Sequence, residues 1–342
     1  MTGGARIGLT FAIAAVGVGL FEAAGLPLPF LLGPLFACLL AALCRVPMKG
    51  FGQFGVGMRT ILGVAVGASI TPALLGRLPE MIYSVALIPP FILLIGAIGY
   101  PLFRKICGFD HPTSYYAAMP GGFQDMVIFG EEAGGDVRAL SLIHATRVLI
   151  IVVTAPILLT QVWGMSLDNP PGAPASTLPL HEMALMALAA LVGWKGGERL
   201  GLFGASILGP LAVTAALSLT DFLHSRPPAE AIYAAQFFIG IGIGVKYAGV
   251  TLHEVRRDVL SGVAYVIVLA GLAFIFATIV ARAGFAGSLD AFLAFAPGGQ
   301  AEMAVLSIIA GADLAFVVTH HMVRIIIVIT GAPIAAKLLD RE

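Results

Sequence analysis

The sequence predicts an all-α polytopic membrane protein, with about ten transmembrane helices and two re-entrant or broken helices arranged as an inverted internal repeat. Three observations lead to this fold class. The composition is very apolar, apolar stretches recur along the whole chain, and the two halves of the chain share an unusual set of polar and helix-breaking residues.

The composition indicates a bilayer rather than water as the solvent. The 342 residues are 59% hydrophobic and 11% charged, with a mean hydropathy of +0.98, whereas a soluble domain is about 25% charged. Apolar runs close to the length that crosses a bilayer recur throughout. The net charge is zero and no basic stripe is present, so the lipid bilayer is an expected partner and nucleic acid is not.

The two copies of an internal repeat align without a gap from the Pro-Gly-Gly motif onward. MPGGFQDM at 119–126 and APGGQAEM at 296–303 are 177 positions apart, and shared hydrophobicity alone does not align Gly, Pro, Asp, His and Arg in one frame. The sequence therefore predicts two membrane repeats, 5–165 and 182–341. The matching pairs are Pro120/Pro297, Gly121/Gly298, Gly122/Gly299, Asp125/Glu302, Met126/Met303, Asp136/Asp313, His144/His321 and Arg147/Arg324.

Each repeat divides into five apolar spans, with the Pro-Gly-Gly segment between the fourth and the fifth. Glycines at four-residue spacing in the third span of each repeat, Gly63 and Gly67 and then Gly240 and Gly244, predict close helix packing. The expected spans are 7–24, 27–45, 57–73, 81–103 and 137–162, followed by 182–197, 202–220, 232–249, 259–282 and 313–336.

The distribution of Lys and Arg favours a Pro-Gly-Gly segment that enters the membrane and returns, because cytoplasmic loops collect these residues. A crossing segment would move four basic residues of the second repeat outside. With a re-entrant segment each repeat crosses five times, so the second repeat is inverted and both termini are cytoplasmic. The loops predicted to be inside carry Arg45, Lys49, Arg104, Lys105, Lys195, Arg199, Arg256, Arg257, Lys337 and Arg341, and those outside only Arg77, Arg226 and Arg282.

The Pro-Gly-Gly breaks are candidate binding elements. Proline removes a backbone donor, glycine frees φ, and the helix that starts after the break directs free N–H groups toward it, which favours anions. Non-helical backbone at membrane depth is tolerated only inside protein or beside a wet cavity. We therefore expect Gly121, Gly122, Gly298 and Gly299 to contact a solute near the bilayer midplane, as in transporters with inverted repeats.

PGGFQDM and PGGQAEM, the later H-x-x-R and the whole-chain duplication resemble the bacterial AbrB-type membrane family with a duplicated domain. The likeness covers nearly the full chain. Members of that family carry the labels ammonia monooxygenase or regulator of gene expression, and a soluble DNA-binding regulator of unrelated fold shares the name. The resemblance implies an inner-membrane protein and supports the architecture more than any chemistry.

Asp125 and Glu302 lie in the first turn after each break. One interpretation is helix-terminus chemistry, since an acid there complements the helix dipole. The other is a carboxylate that binds a coupling proton or Na⁺, because ionisable groups inside membranes are costly and usually functional. Asp136 and Asp313, which precede the last span of each repeat, are better explained as N-caps.

His144 with Arg147, and His321 with Arg324, are spaced i, i+3 and so share a helix face. One interpretation is a buried ion-pair network, with Asp125 or Glu302 as the partner within or across repeats. The other assigns Arg147 and Arg324 to an anionic solute, with His144 and His321 moving protons. The duplication does not separate these alternatives.

Enzyme classes lack support in the sequence. None of the seven histidines forms an HxH, HxxxH or ExxH pattern, so we expect no metal, no cofactor and no catalytic residue. A regulatory protein would need a soluble output domain, which the short loops do not provide. We therefore predict a secondary transporter in the bacterial inner membrane, which carries a small anionic or zwitterionic solute coupled to H⁺ or Na⁺. A membrane regulator, acting directly or through solute import, is the alternative, and the oligomeric state, including a homo-oligomer, stays open.

Overall fold

Helices form all the regular secondary structure of the residues that the computed structural model describes, which are 2–26, 28–167, 170–202 and 205–339. Arg341, and with it the predicted end of the second repeat, lies outside these ranges. In chain order the α-helices are α1 (Gly3–Ala23), α2 (Pro29–Leu43), α3 (Gly52–Met58), α4 (Thr60–Gly67), α5 (Pro72–Val85), α6 (Ile88–Pro101), α7 (His111–Ala118), α8 (Phe123–Glu132), α9 (Val137–Trp163), α10 (Leu180–Arg199), α11 (Ala205–Leu219), α12 (Ala229–Gly244), α13 (Leu252–Glu254), α14 (Leu260–Arg282), α15 (Ser288–Phe295), α16 (Gln300–Ile309) and α17 (Leu314–Leu339).

Within the described ranges, six helical stretches are long and apolar enough to cross a membrane, which confirms the class of multi-pass membrane protein. Some of these stretches are longer than one α-helix because short turns of another helix type continue them. A π-helical turn extends α6 to residue 106, a 3₁₀ turn extends α12 to residue 247, and a π-helical turn joins α13 to α14. The apolar helices α2 and α11 are shorter, with 15 residues each. The six stretches are Gly3–Ala23, Pro79–Ile106, Val137–Trp163, Ala229–Tyr247, Leu252–Arg282 and Leu314–Ala336.

Two predicted spans of the first repeat differ from the observed helices. The third is divided at Arg59 into α3 and α4, where the Thr60 hydroxyl donates to the Gly57 carbonyl oxygen over 2.7 Å and competes with the helical ladder. The fourth is divided into α5 and α6, since Pro89 and Pro90 have no N–H to continue a helix and instead occupy the first turn of α6.

The chain forms two compact units, and each unit takes segments from both sequence repeats. The first unit contains Met1–Arg77, Pro156–Val250 and Ala304–Ala315, and the second contains Leu78–Ala155, Thr251–Met303 and Phe316–Glu342. The first three spans of each repeat are thus in one unit. The fourth spans, most of each fifth span and both Pro-Gly-Gly breaks are in the other.

Helices of the first unit cross at glycines, as the four-residue spacing predicts. A Cβ atom on Gly63 would overlap the Ile207 carbonyl oxygen, and one on Gly67 would lie 2.5 Å from the Leu211 carbonyl oxygen. These contacts bring α4 of the first repeat against α11 of the second. Gly240 and Gly244 make the reciprocal approach from α12 to α2, where a Cβ on Gly244 would lie 2.7 Å from the Leu35 carbonyl oxygen.

In the second unit, the chain around the first break folds back on itself. The backbone N–H of Asp136, after α8, donates to Thr113 Oγ1 at the start of α7 over 2.8 Å. The rings of Tyr116 on α7 and Phe129 on α8 lie 6.3 Å apart. The two helices are about 12 and 15 Å long at 1.5 Å per residue, so each is shorter than the hydrocarbon core of a bilayer, which is about 30 Å thick.

Candidate functional site: two helix breaks

The first break, residues 119–122, joins α7 to α8 through extended backbone, with Gly122 at φ −62° and ψ 144°. The second break, residues 296–299, joins α15 to α16. Each break brings together the carboxyl end of one short helix and the amino end of another. The first end has partial negative charge and the second partial positive charge.

A buried methionine side chain leaves no room for a Cβ atom at one glycine position of each break. A Cβ atom on Gly121 would lie 2.7 Å from Met126 Cε, and one on Gly298 would lie 2.7 Å from Met303 Cε. Met126 and Met303 have no exposed surface, so neither side chain can move aside into solvent. The repeated Gly and Met therefore form one packing unit that keeps the backbone turned at the break.

Arg147 and Arg324 reach the carbonyl groups of the breaks. Arg324 donates from Nη1 to the Ala296 oxygen and from Nη2 to the Gly298 oxygen, both over 3.0 Å. Arg147 donates from Nη2 to the Gly121 oxygen over 3.0 Å and from Nη1 to the Met119 oxygen over a longer 3.5 Å. Carbonyls at a helix end have no intrahelical donor, so each guanidinium satisfies the backbone where its helix stops.

The histidines bind the same short helices one turn earlier. His144 Nε2 lies 3.2 Å from the Tyr116 carbonyl oxygen, and His321 Nε2 lies 2.8 Å from the Leu293 carbonyl oxygen. Since a carbonyl oxygen only accepts, Nε2 carries the proton in both rings. The three His and Arg contacts of the first break thus have counterparts exactly one repeat later in the second.

Both arginines are almost fully buried, with 2% exposure for Arg147 and 4% for Arg324. The Glu302 carboxylate of the other repeat attracts Arg147, whereas Arg324 and Arg147 repel each other as like charges. These interactions join groups of the two breaks within one compact unit. The attraction between Arg147 and Glu302 favours the predicted alternative in which an arginine has an acidic partner across the repeats.

The acids lie at the amino ends of the second short helices. Asp125 is in the first turn of α8, and the buried Glu302 is in the first turn of α16. A Cβ atom on Gly299 would overlap the Glu302 carboxylate, so that carboxylate is folded back over the break. This position complements the helix dipole and at the same time keeps the acid beside the buried arginines.

Asp136 is an N-cap, as predicted. Its Oδ1 atom accepts from the backbone N–H groups of Arg138 and Ala139, each over 3.0 Å. The first turn of α9 is thereby fixed. Arg147 projects from the same helix.

Some polar groups near the breaks have no marked sequence signal. The Tyr265 hydroxyl, from α14, donates to the Ala118 carbonyl oxygen at the end of α7. His320, which has no counterpart in the first repeat, lies 2.8 Å through Nδ1 from the Phe316 carbonyl oxygen. A hydroxyl within a long apolar helix is the signal that could have identified Tyr265.

Several buried side-chain atoms of the second unit lack a hydrogen-bond partner among the described residues. Such atoms are rare in native proteins and often lie at functional sites. Most of them lie on α9, on α17 or at the start of α16: His144 Nδ1, Arg147 Nε, Gln300 Nε2, His320 Nε2 and Arg324 Nε. Three of these five atoms are N–H donors, so the breaks can offer hydrogen bonds to an anion.

No group of three or more His, Cys, Asp and Glu side chains is arranged to hold a metal ion in the part of the chain that the structure describes.

A family model described as "Transition state regulatory protein AbrB" matches residues 30–340. A Bacillus subtilis (strain 168) protein named "Uncharacterized protein YhjN" is 28% identical over 353 residues, which cover 96% of this chain and 91% of the relative. An Escherichia coli (strain K12) protein named "Putative regulator AbrB" is 24% identical over 333 residues, which cover 94% of this chain and 92% of the relative.

Proposed function

This chain belongs to the AbrB family, and from that premise we propose that it is a secondary transporter of a small anionic or zwitterionic solute, coupled to H⁺ or Na⁺. The observation that carries the proposal is the pair of helix breaks in one compact unit. Each break has a buried arginine whose Nε–H has no partner among the described residues. Burying a cation inside a membrane protein costs free energy, and such residues usually have a function.

The proposed solute site is formed by the breaks themselves. The N–H groups after Gly121-Gly122 and Gly298-Gly299 start α8 and α16 and attract negative charge. Arg147 and Arg324 use Nη1 and Nη2 on the carbonyl oxygens of the breaks, which leaves Nε as the donor for a solute. The arginines then have both proposed roles, since they hold the break and they receive the anion.

The proposed coupling site is the pair of acids. Two buried arginines and two carboxylates, Asp125 and Glu302, sum to no net charge. A monoanion that enters would leave one excess negative charge in a medium of low dielectric constant. Binding of H⁺ or Na⁺ by either acid removes that excess, so solute and cation are favoured together. His144 and His321 bind through Nε2 to the short helices that precede the breaks. They would thereby position the breaks relative to the acids and tune the exchange of the coupling cation.

We also propose the inner membrane as the location, with ten crossings and two re-entrant segments arranged as inverted repeats. The fold-back of the first segment, at Asp136 and Thr113, supports this topology. A segment that returns to its own side leaves five crossings per repeat, and an odd number inverts the second repeat. The distribution of Lys and Arg supports cytoplasmic termini.

Uptake into proteoliposomes tests the proposal. A pH dye inside the vesicles reports H⁺ entry when small organic acids and amino acids are added in turn, and a second series adds an inward Na⁺ gradient. We expect at least one solute to drive cation entry in the wild type, and Asp125→Asn with Glu302→Gln to abolish the coupling. Unchanged coupled uptake in the double variant would remove the acids from the mechanism, and no uptake of any solute would contradict transport.

The regulator label of the Escherichia coli relative favours a second candidate, a membrane regulator of gene expression. Import of an effector would produce regulation through the same site. Deletion of the gene should then change expression in a way that Glu302→Gln reproduces. A change that the deletion causes and Glu302→Gln does not cause would favour direct regulation.

A further inference from the structure

The two histidine–arginine pairs have the same spacing but different hydrogen bonds. In the second repeat, Arg324 Nη2 donates to His321 Nδ1 over 2.9 Å, so the histidine acceptor is satisfied, while Arg324 Nε has no partner among the described residues. In the first repeat, His144 Nδ1 and Arg147 Nε both lack a partner among the described residues. The sequence repeat is therefore accompanied by a difference in the open polar atoms of the two breaks.

The chemistry of the open atoms in the first repeat follows from the bonds already made. His144 Nε2 carries a proton because it faces the Tyr116 carbonyl oxygen over 3.2 Å. In the neutral ring, Nδ1 then has a lone pair and accepts a hydrogen bond. Arg147 Nε carries a proton and donates. His144 has no exposed surface, and Arg147 has 2%, so one buried face presents an acceptor beside a donor.

We propose that the first break is the solute-recognising half of the site and that the solute is an α-hydroxy or α-amino carboxylate, an inference that rests on the proposed transport function. A carboxylate oxygen of the solute accepts from Arg147 Nε–H, and its neighbouring hydroxyl or ammonium group donates to His144 Nδ1. In the second break, His321 and Arg324 bind each other and the backbone, so Arg324 Nε can attract the carboxylate, but His321 Nδ1 is already occupied and does not recognise the α-substituent.

The i, i+3 spacing explains why the two solute groups must lie on adjacent carbons. Residues three apart are neighbours on one helix face. In the second repeat, Arg324 Nη2 lies 2.9 Å from His321 Nδ1, so this spacing brings a guanidinium nitrogen within one hydrogen bond of the imidazole ring. A simple carboxylate would satisfy Arg147 and leave His144 Nδ1 as unpaired as it is without solute, so it lacks the additional buried hydrogen bond that a substituted acid gains. A site of this kind therefore selects against acids that lack the donor.

Binding by full-length protein in detergent tests the inference. The probes are matched pairs that differ only by the α-substituent: lactate, alanine and propionate form one set, and malate, aspartate and succinate form the other. We expect the substituted acid in at least one set to bind about tenfold more tightly than its unsubstituted partner, since one buried hydrogen bond is worth about that factor. Affinity is measured by titrating the acid and following the rise in melting temperature.

His144→Gln and His321→Gln form the matched pair of variants. Glutamine retains an N–H for the Tyr116 or Leu293 oxygen but removes the Nδ1 acceptor. The tenfold preference should disappear in His144→Gln and persist in His321→Gln. His321→Gln should instead melt at a lower temperature without ligand, because Arg324 loses a bond that Arg147 never had.

Equal affinity for substituted and unsubstituted acids in the wild type overturns the inference, as does the absence of binding by every probe. Loss of the preference in His321→Gln alone also overturns it, because the second break would then recognise the solute. Failure of the transport proposal is distinguishable. A preference in detergent without uptake into vesicles would contradict transport and leave the recognition site in place. Uptake without the preference would contradict the recognition site and leave transport in place.

Discussion

Replacing Arg324 by methionine should destabilise the protein more than the same change at Arg147. Methionine fills a similar volume without the charge or the donors. The Arg324 side chain donates to the Ala296 oxygen, the Gly298 oxygen and His321 Nδ1 over 3.0, 3.0 and 2.9 Å. Arg147 has one bond of 3.0 Å and one of 3.5 Å, and the longer of these is weak.

The magnitude follows from the number of bonds lost. A hydrogen bond to a charged group contributes about 1.5–3 kcal/mol, and a buried acceptor left without a donor costs about as much again as an ordinary bond. Against this, removal of a buried cation relieves a desolvation penalty of several kcal/mol. We therefore expect Arg324→Met to lower the free energy of unfolding by about 2–4 kcal/mol, and Arg147→Met by about 1–2 kcal/mol.

The assay is the fraction of monodisperse protein that remains after stepwise heating in detergent. Arg138→Met provides the surface control, because the Arg138 side chain is 42% exposed and its 2.6 Å bridge to Glu254 should contribute less than about 1 kcal/mol. Equal losses for Arg147→Met and Arg324→Met would refute the bond count. A stability gain in either variant would show that desolvation outweighs the carbonyl bonds.

Two further predictions concern regions away from the breaks. Gly240→Ala should lower stability by about 1–3 kcal/mol, because the added Cβ would overlap the Leu31 carbonyl oxygen. Gly242→Ala is the control and should be neutral or stabilising, since open space surrounds the position of its Cβ. Equal effects of the two changes on thermal unfolding would contradict the α2–α12 crossing. The pKa of His224 is raised, first by its hydrogen bond to Asp221 and then by Glu182, so protonated His224 stabilises the fold at pH values below its unfolded pKa of about 6.5 and that stability is lost as pH rises through the higher folded pKa. Melting temperatures between pH 6 and pH 8 should decline slightly less in His224→Gln than in the wild type, and an identical decline would show that the exposed ring contributes nothing.

The pattern of the sequence predicts much of what the second unit contains. The 177-residue offset between His144 and His321, and between Arg147 and Arg324, is reproduced by equivalent hydrogen bonds in both breaks. The target of the arginines could not be predicted in this way. Their acceptors are backbone carbonyl oxygens at 119, 121, 296 and 298, and every residue has such an oxygen, so no side chain indicates it.

The assignment of spans to units was also beyond the sequence. Repeats predict which helices resemble each other, and they do not predict which helices pack together. The glycine contacts link α4 to α11 and α12 to α2, so helices of different repeats share a unit. The division of the third span at Arg59 likewise depends on the Thr60 hydroxyl, which a hydropathy pattern does not distinguish from a continuous helix.

Labelling of single cysteines from each side of the membrane tests the central claim most directly. In a background without the other native cysteines, Cys107 and Ala133→Cys lie near the ends of the first break segment, and Ala283→Cys and Ala312→Cys lie near the ends of the second. Re-entrant segments in inverted repeats predict that an impermeant maleimide reaches 107 and 133 only from the cytoplasmic side, and 283 and 312 only from the opposite side. Labelling of 107 and 133 from different sides, or of all four positions from one side, would contradict the account.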